Sequence, residues 1–564
     1  MLVALLVGLA YNQYALRQQV ARLRLDVASA QTVLVRDGRN SATIRGAVAQ
    51  LQRDTAAMRA TTRSVAWTVG AQTPFLGGSL RAVRSLAQAG DDTSRRVLPV
   101  LTATALQLRS GPREGPLDVR AITDRRESLD ASLRQVKTSQ RQLARDDVSD
   151  PAGRRAHDEF VGRLGQLRDV LSTLSTVAHL GPGMSGQQGD RRYLVILQSP
   201  AESRGTGGIV GGFLDLKVSL GAVKVVRSGS NHDLQPGRTK VAVDGGFARL
   251  WGPVGAQQQW YASNLSLDFP SVAKVWSGLY SQQYAVPVDG VLGVTPEAVA
   301  RLLELTGPLR LPGGVVLNRG DAARALEVDL YRRFPTVSDE SARNTYQLEV
   351  LRALLRAVLT PRPLGKTYVD VLRAVAHDGS LRLASTHPLE QAELQPTAVG
   401  GALPRDGRPF VAWSTNNAAG SKLDVYLHRS LSYRRQDRIG GGEVVHATAV
   451  LRNDAPARGL PPYVTIRADL ARAERTGAAP GSEKLVVATY LTAGARVTSV
   501  TVDGRPVRYG GGSEWGHPVV TVPVVLQPGG GTDTVVVTAE QPADRGPVTT
   551  LRQPVAVPDE LSLP

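Results

Sequence analysis

The spacing of apolar residues along this 564-residue chain changes twice, and each change limits what the next stretch can fold into. Up to Asp190 the period is helical. Leu16, Val20, Leu23, Val27, Ala30 and Leu34 step alternately by four and three residues; so do Ile44, Val48, Leu51, Thr55, Met58, Thr62 and Val65, and again Phe160, Leu164, Leu167, Leu171 and Leu174. Heptad seams of this kind predict long helices packed on one another, with coiled-coil self-association open to them. Asp37-Gly38 interrupts the first seam, and Gly181-Pro182-Gly183 is expected to stop the last.

From Arg191 the pattern turns to short apolar runs separated by helices. Tyr193–Gln198 reads as a buried strand, a glycine cluster follows at 204–212, and Phe213–Leu220 and Ala222–Arg227 read as two more strands. Ser271–Gln283, Pro296–Thr306, Gly320–Tyr331, Ser338–Leu359 and Lys366–Ala376 are helical in pattern, and Val288–Val294 is strand-like. Strands alternating with helices predict an α/β layered domain over 191–408. Beyond Arg408 six β-rich runs occur, Leu423–Arg434, Glu443–Leu451, Leu485–Leu491, Val497–Val502, Val519–Leu526 and Thr534–Ala539. Turn residues such as Asp503-Gly504 and Gly529-Gly530-Gly531 separate them, which predicts an immunoglobulin-like β-sandwich over 409–564. The expected fold class is therefore multidomain α+β: a helical stalk over 14–190, an α/β domain and a C-terminal sandwich.

Met1–Ala10 is apolar without a break, and the first cation is Arg17. A spanning helix needs roughly 18 or more apolar residues, and positive charge stays on the cytoplasmic side. Residues 1–13 are expected to be the end of a signal-anchor helix, making this a single-pass cell-membrane protein with its bulk extracytoplasmic. The formal net charge is +17, almost all of the cation being arginine, with only eight lysines. Such a charge draws a protein to anionic lipids and to phosphate- or uronate-bearing polymers. No zinc-finger spacing, basic tail or aromatic-rich basic strand supports nucleic acid as the partner. The chain has no cysteine, which excludes disulfides, thiolate metal sites and cysteine nucleophiles.

Common catalytic motifs are missing. Gly365-Lys366-Thr367 ends like a P-loop, but Thr360 stands where the first glycine belongs. There is no Gly-x-Ser-x-Gly elbow, and the eight histidines have no metal-ligand spacing. Two clusters remain. One is Glu202, Arg204 and the glycine loop with Gly205, Gly207 and Gly208; the other is Tyr331, Arg332, Arg333, Asp339, Arg343 and Gln347. Asp339, Arg343 and Gln347 are four apart, hence on one helix face. Exposed glycine amides and guanidinium groups grip phosphate oxygens, and a carboxylate beside them can hold Mg²⁺. Intrahelical Asp–Arg pairing and a merely tight glycine turn are the plain structural alternatives.

The stretches Arg192–Gln198 with Glu202–Gly208, Asp289–Ala298 with Leu302–Pro308, and Ser414–Lys422 resemble the signature of the actinobacterial domain-of-unknown-function 4012 family of envelope proteins, over about 60–435. More distantly, Leu302–Pro308 and the series Tyr331, Arg332, Arg333, Asp339, Arg343, Gln347 resemble the LytR–CpsA–Psr proteins. Those transfer glycopolymers from a polyprenyl pyrophosphate carrier to peptidoglycan, with arginines on the pyrophosphate and an aspartate on magnesium. The resemblance implies Arg204, Arg343 and Asp339 as catalytic residues, Arg204, Gly205, Gly207, Gly208, Arg332, Arg333, Arg343 and Gln347 as phosphate ligands, and Asp339 as the Mg²⁺ ligand. This chain departs from the pattern at the second metal carboxylate, where only Glu202 and Thr206 are at hand, and at Asn344, where a further arginine belongs. Two readings follow: a transferase-like domain on a polyprenyl phosphate lipid or anionic wall polymer, or a non-catalytic envelope scaffold with a degenerate site.

Overall fold

The computed structural model describes residues 41–73, 77–109, 119–146, 148, 151–360, 366–438, 441–471, 474, 479–544 and 546–564. They fall into two compact units: the helices between Ser41 and Met184, and Gly189–Thr360 together with Lys366–Pro564. The expected anchor at 1–13 and the seam from Leu16 to Leu34 lie outside the described residues. Among those described, no helix is long and apolar enough to cross a membrane.

The first unit is all helix: α1 Ser41–Thr62, α2 Val65–Gly70, α3 Gly77–Asp92, α4 Leu98–Arg109, α5 Arg120–Thr123, α6 Arg126–Leu143 and α7 Pro151–Met184. Its core collects Val97, Leu129, Val136, Leu143, Leu164 and Leu171, so the seam of α7 does face inward. The α1 seam ends sooner than its spacing suggests, since Val65 is 75% exposed. The chain turns at Ser64, whose side chain caps α2, and Trp67 takes the inward position with its indole N–H donating to the Leu80 carbonyl at 3.0 Å. Nor does Gly181-Pro182-Gly183 stop α7, which runs on to Met184. Pro182 gives up one ladder bond, to the Ala178 carbonyl, two residues before the helix ends. Gly181 is required by packing, because a Cβ there would stand 2.7 Å from Val119 Cγ2, and the turn comes at Gly186 with φ +73°.

The second unit is built on a five-stranded sheet of order β3-β2-β1-β4-β7. Its strands are β1 Arg191–Ser199, β2 Ile209–Ser219, β3 Ala222–Ser230, β4 Gly290–Val294 and β7 Leu381–Ser385; β5 Leu309–Arg310 and β6 Val316–Leu317 form a separate small ribbon. β1 runs parallel to β4 and antiparallel to β2. Its residues from Tyr193 to Ser199 are all buried, as expected of a strand covered on both faces. Helices α8 Gly245–Trp251, α9 Phe269–Tyr284 and α10 Pro296–Thr306 come next. A broken helix then passes from α11 Ala322–Arg324 through a π turn, Ala325–Asp329, into α12 Leu330–Arg333. α13 Glu340–Val358, α14 Lys366–His377 and α15 Pro388–Leu394 complete the helices. α13 packs on β2 and β3.

Beyond β7 the chain makes a four-stranded sheet, order β14-β15-β11-β8, and a six-stranded one, order β13-β12-β16-β10-β9-β17. The strands are β8 Val411–Asn417, β9 Leu427–Asp437, β10 Glu443–Asn453, β11 Glu483–Leu491, β12 Arg496–Val502, β13 Arg505–Pro506, β14 Gly510–Glu514, β15 His517–Leu526, β16 Gly531–Gln541 and β17 Glu560–Ser562. Val411, Trp413, Leu485, Val487, Val520, Val522 and Val524 share a core with β9, β10 and β16. Their neighbours of opposite parity, Ala412, Ala488, Tyr490 and Val519, join the core of the α/β layers with Leu194, Phe269 and Trp276. Within this sheet, β8 and β11 are thus buried on both faces. No boundary falls at Arg408, because the strands beyond it supply one wall of the α/β core.

Candidate functional site

β1 ends in a 3-10 turn, Pro200–Glu202, that delivers Glu202 and Arg204 to the interior at 3% and 7% exposure. Glu202 accepts from Arg204 Nη2 at 2.7 Å and from the Lys422 ammonium. Burial pushes the Glu202 carboxyl up, but the two cations more than reverse this and leave it below the usual carboxylate range. Lys422, equally desolvated, is held above its ordinary value by Glu202.

Every side of the Arg204 guanidinium is engaged by protein. Nε donates to the Tyr261 carbonyl at 3.1 Å, Nη1 to the carbonyls of Ser203 and Asn417, and Nη2 to Glu202. The glycine loop is closed in the same manner. Gly205 N–H donates to Asn416 Oδ1 at 2.9 Å, Thr206 N–H to the Asn264 carbonyl at 3.3 Å and Gly207 N–H to the Arg204 carbonyl at 2.9 Å. A Cβ on Gly205 would lie 2.3 Å from the Ser266 carbonyl oxygen, and one on Gly208 would lie 2.0 Å from that of Ser199. These two glycines exist to let backbone meet backbone. The loop does not present a bed of free amides.

The second cluster lies on and before α13. Arg343 is 3% exposed; its Nη1 donates to the carbonyls of Phe334 and Thr336 at 2.6 and 2.7 Å, and its Cζ sits 3.9 Å above the Tyr463 ring. Tyr463 also stacks on Tyr331, ring centres 6.0 Å apart, and lies 5.7 Å from Lys422 Nζ. Arg343 and the Glu202 network therefore meet across one tyrosine. Gln347 packs against β2, its Oε1 3.3 Å from where a Cβ on Gly211 would be. Asp339 is a cap: its Oδ2 accepts from the Thr336 N–H at 2.9 Å and hydroxyl at 2.7 Å, bonds that hold its carboxyl below the usual range. With that oxygen engaged and no group of three His, Asp or Glu side chains gathered among the described residues, the donor set around Asp339 does not fit Mg²⁺. Arg332 and Arg333 are exposed; Arg332 Nη1 is 3.7 Å from Asp329, and Arg333 leans over Phe334 and Tyr346.

Beside this network lies a small cleft with a cavity volume of about 10 Å³, lined by Glu327, Val328, Tyr331, Arg332, Lys422, Val425, Tyr426, Leu460, Pro461 and Val464. Of the residues expected from the sequence only Tyr331 and Arg332 reach it; Arg204, Arg343 and Gln347 do not. Glu327, 6% exposed, is carried on the π turn. Burial, with a smaller push from the Glu297 carboxylate, raises its carboxyl to about 8. A third acidic feature, Asp424 with Glu483, lies wholly buried, Asn417 Nδ2 donating to both at 3.0 and 2.9 Å. Desolvation raises both carboxyls, and the neighbouring Asp424 carboxyl raises Glu483 further.

Sequence reasoning missed Glu327, Lys422, Tyr463 and the Asp424–Glu483 pair as site residues. Lys422 left a signal, being one of only eight lysines and ending the Ser414–Lys422 motif. Glu327 left none, since a π turn shifts a helical residue off the face its spacing assigns.

Residues 188–331 match the family model described as a protein of unknown function, DUF4012. The match covers β1 to α12 and includes Glu202, Arg204 and Glu327. No curated protein matches the chain. Among solved structures, one described as the transcriptional regulator yvhJ from Bacillus subtilis is 13% identical, with a TM-score of 0.20, over 37% of this chain and 77% of that one. TagV from B. subtilis, a LytR–CpsA–Psr family protein, is 11% identical, with a TM-score of 0.19, over 38% of this chain and 80% of its own. At such scores neither likeness transfers an activity.

Proposed function

We propose that the chain is an extracytoplasmic cell-envelope protein, tethered to the membrane by its N-terminal segment, whose sheet-bearing unit binds an anionic wall polymer or lipid-linked precursor without transferring it. One observation carries this reading: of the groups that the DUF4012 and LytR–CpsA–Psr resemblance assigns to a pyrophosphate, Arg204 and the glycine-loop amides already serve Glu202, Asn416 and backbone carbonyls. Opening that network strands two buried cations, which costs several kcal/mol. A transfer site needs donors preorganised for the developing charge, whereas these are preorganised for the protein itself. Exposed arginines such as Arg332 and Arg333, on a chain of net charge +17, supply the polymer contacts.

The test pairs binding with turnover. Purified protein is sedimented with anionic wall polymer across a salt series and incubated with lipid-linked polymer and peptidoglycan. Salt-sensitive co-sedimentation without covalent transfer supports the reading. Transfer that disappears in Arg343→Ala overturns it. Cell fractionation of the full reading frame tests the tether, and a wholly soluble product removes it.

A further inference from the structure

The second unit covers most edges of its sheets, and β3 is an exception. An unpaired edge strand offers a row of free N–H and C=O groups to any other strand. At β7 the Leu383 N–H donates to the Val399 carbonyl at 2.9 Å. At β8 the Val411 N–H donates to the Thr549 carbonyl at 3.1 Å, and the Gln553 amide pairs with the Thr415 N–H and carbonyl. α8 packs on β14, and β17 lies along β9. β3 closes one end of the five-stranded sheet and pairs with β2 alone. Among the described residues, 222–229 make no other backbone–backbone hydrogen bond.

Register sorts the side chains of this edge onto two faces. Arg227 stands opposite Asp215 and Lys224 opposite Lys217, whereas Val225 stands opposite Leu216 and Val223 opposite Val218. Val226 is the extra residue of a bulge. One face of the edge is therefore cationic and the other apolar. Lys224 is exposed, and Arg227 lies 4.0 Å above the centre of the Tyr284 ring. Val225 and Val226 are 37% and 47% exposed, and Arg352 of α13 bounds their side of the edge by donating to the Ser228 hydroxyl. The carboxylates nearby are engaged elsewhere: Asp215 by Arg192 and the Tyr280 hydroxyl, Asp190 by Lys217, and Asp233 by the Ser230 N–H and hydroxyl.

We propose that the β3 edge docks an extended segment of a partner protein in which acidic and apolar residues alternate, added to the sheet as a further strand. Main-chain hydrogen bonds supply the affinity of such an addition, and alternate side chains supply its specificity. A strand laid beside β3 sets every second side chain next to Lys224 and Arg227, where carboxylates fit. The rest lie next to Val223 and Val225, where apolar groups fit. Charge decides against a second copy of this chain. Two β3 edges pairing antiparallel about Val225 and Val226 would set Lys224 against Arg227 twice, and like charges directly opposite destabilise a pair. Lys224 and the bulge thus guard the edge against itself while leaving it open to an acidic strand. This surface is independent of the polymer binding proposed above.

The experiment titrates the whole chain into a fluorescein-labelled peptide of alternating Asp and Val, about eight residues long to match a strand of this length. Controls are a peptide of the same composition with its Asp and Val in separate blocks, and one of alternating Lys and Val. Amide hydrogen exchange, read by mass spectrometry, locates the binding. Saturable binding of the alternating Asp–Val peptide alone is expected, with exchange over residues 222–229 slowed about tenfold at saturation. Lys224→Glu, a change at an exposed side chain, should bind that peptide about fivefold more weakly. The surface is refuted if the block peptide binds as well, since attraction to the net positive charge alone would do that. It is equally refuted if the alternating Lys–Val peptide binds as well, or if saturating peptide leaves exchange over residues 222–229 unchanged. Protection of those residues that grows with protein concentration and not with peptide gives the edge to a second copy and overturns the proposal too. The exchange measurement on the unaltered chain decides the matter even should Lys224→Glu fail to fold.

Discussion

Glu202 and Glu327 are both glutamates, both nearly inaccessible and both within reach of Lys422's neighbourhood, yet they are held in opposite protonation states. Glu202 has two cations within bonding distance and stays ionised. Glu327 has none and keeps its proton up to about 8. Burial penalises the charged form at both positions, so partners alone decide the outcome. The same contrast separates a closed ionic network from a solitary neutral acid. Where a buried acid is paired with cations it ionises; where it is not, it holds its proton.

The largest test of this contrast is stability against pH. Glu327 and Glu514 are each raised to about 8 by burial, with Asp268 adding to the effect on Glu514. Each keeps its proton in the fold and loses it on unfolding near the ordinary carboxylate value, so the stability it contributes is complete below that value and is lost as pH rises toward about 8. At about 1.4 kcal/mol per unit, each group sets an upper bound of about 5 kcal/mol. Glu202 works in the opposite sense, its contribution being present above the ordinary carboxylate value and lost as pH falls. Urea unfolding from about pH 5 to about pH 8 should show declining stability, and Glu327→Gln should remove part of the slope while leaving the acid limb intact. An unchanged slope would break the contrast.

Glu202→Ala comes next, with an expected loss of about 4 kcal/mol, because Arg204 and Lys422 are left buried without a counter-charge. A loss below about 1 kcal/mol would mean that the network is solvated in solution. Tyr463→Ala removes the ring that lies over Arg343 and stacks on Tyr331, and should cost about 2 kcal/mol by thermal denaturation. Arg332→Ala should leave stability within about 0.5 kcal/mol of wild type, since its guanidinium is mostly in water and its pairing with Asp329 is loose. A larger loss would make Arg332 part of the fold.

Much of the element pattern was legible beforehand. β1, β2, α9, α10 and α13 stand close to where apolar spacing put them, because strand and helix periods are local properties of the sequence. β8 was not, since Trp413-Ser414-Thr415-Asn416-Asn417 turns polar where the strand faces the Arg204 network. The predicted site was legible in its residue types and not in its use: Arg204, Glu202 and the glycines do converge, but on each other. Nothing in the local spacing says that Asn416, Asn417 and Lys422, more than two hundred residues later, take the donors and the charge.

By itself the sequence determined most of the longer helices and strands, that no thiol chemistry is possible, and that the chain is strongly basic. Tertiary structure alone decided which charges pair, that the strands after Arg408 wall the α/β core, and that Glu327 borders a cleft without a partner. The physical reason is range. Periodicity acts over a few residues along the chain, whereas desolvation and ion pairing act over a few ångströms between residues the chain has brought together.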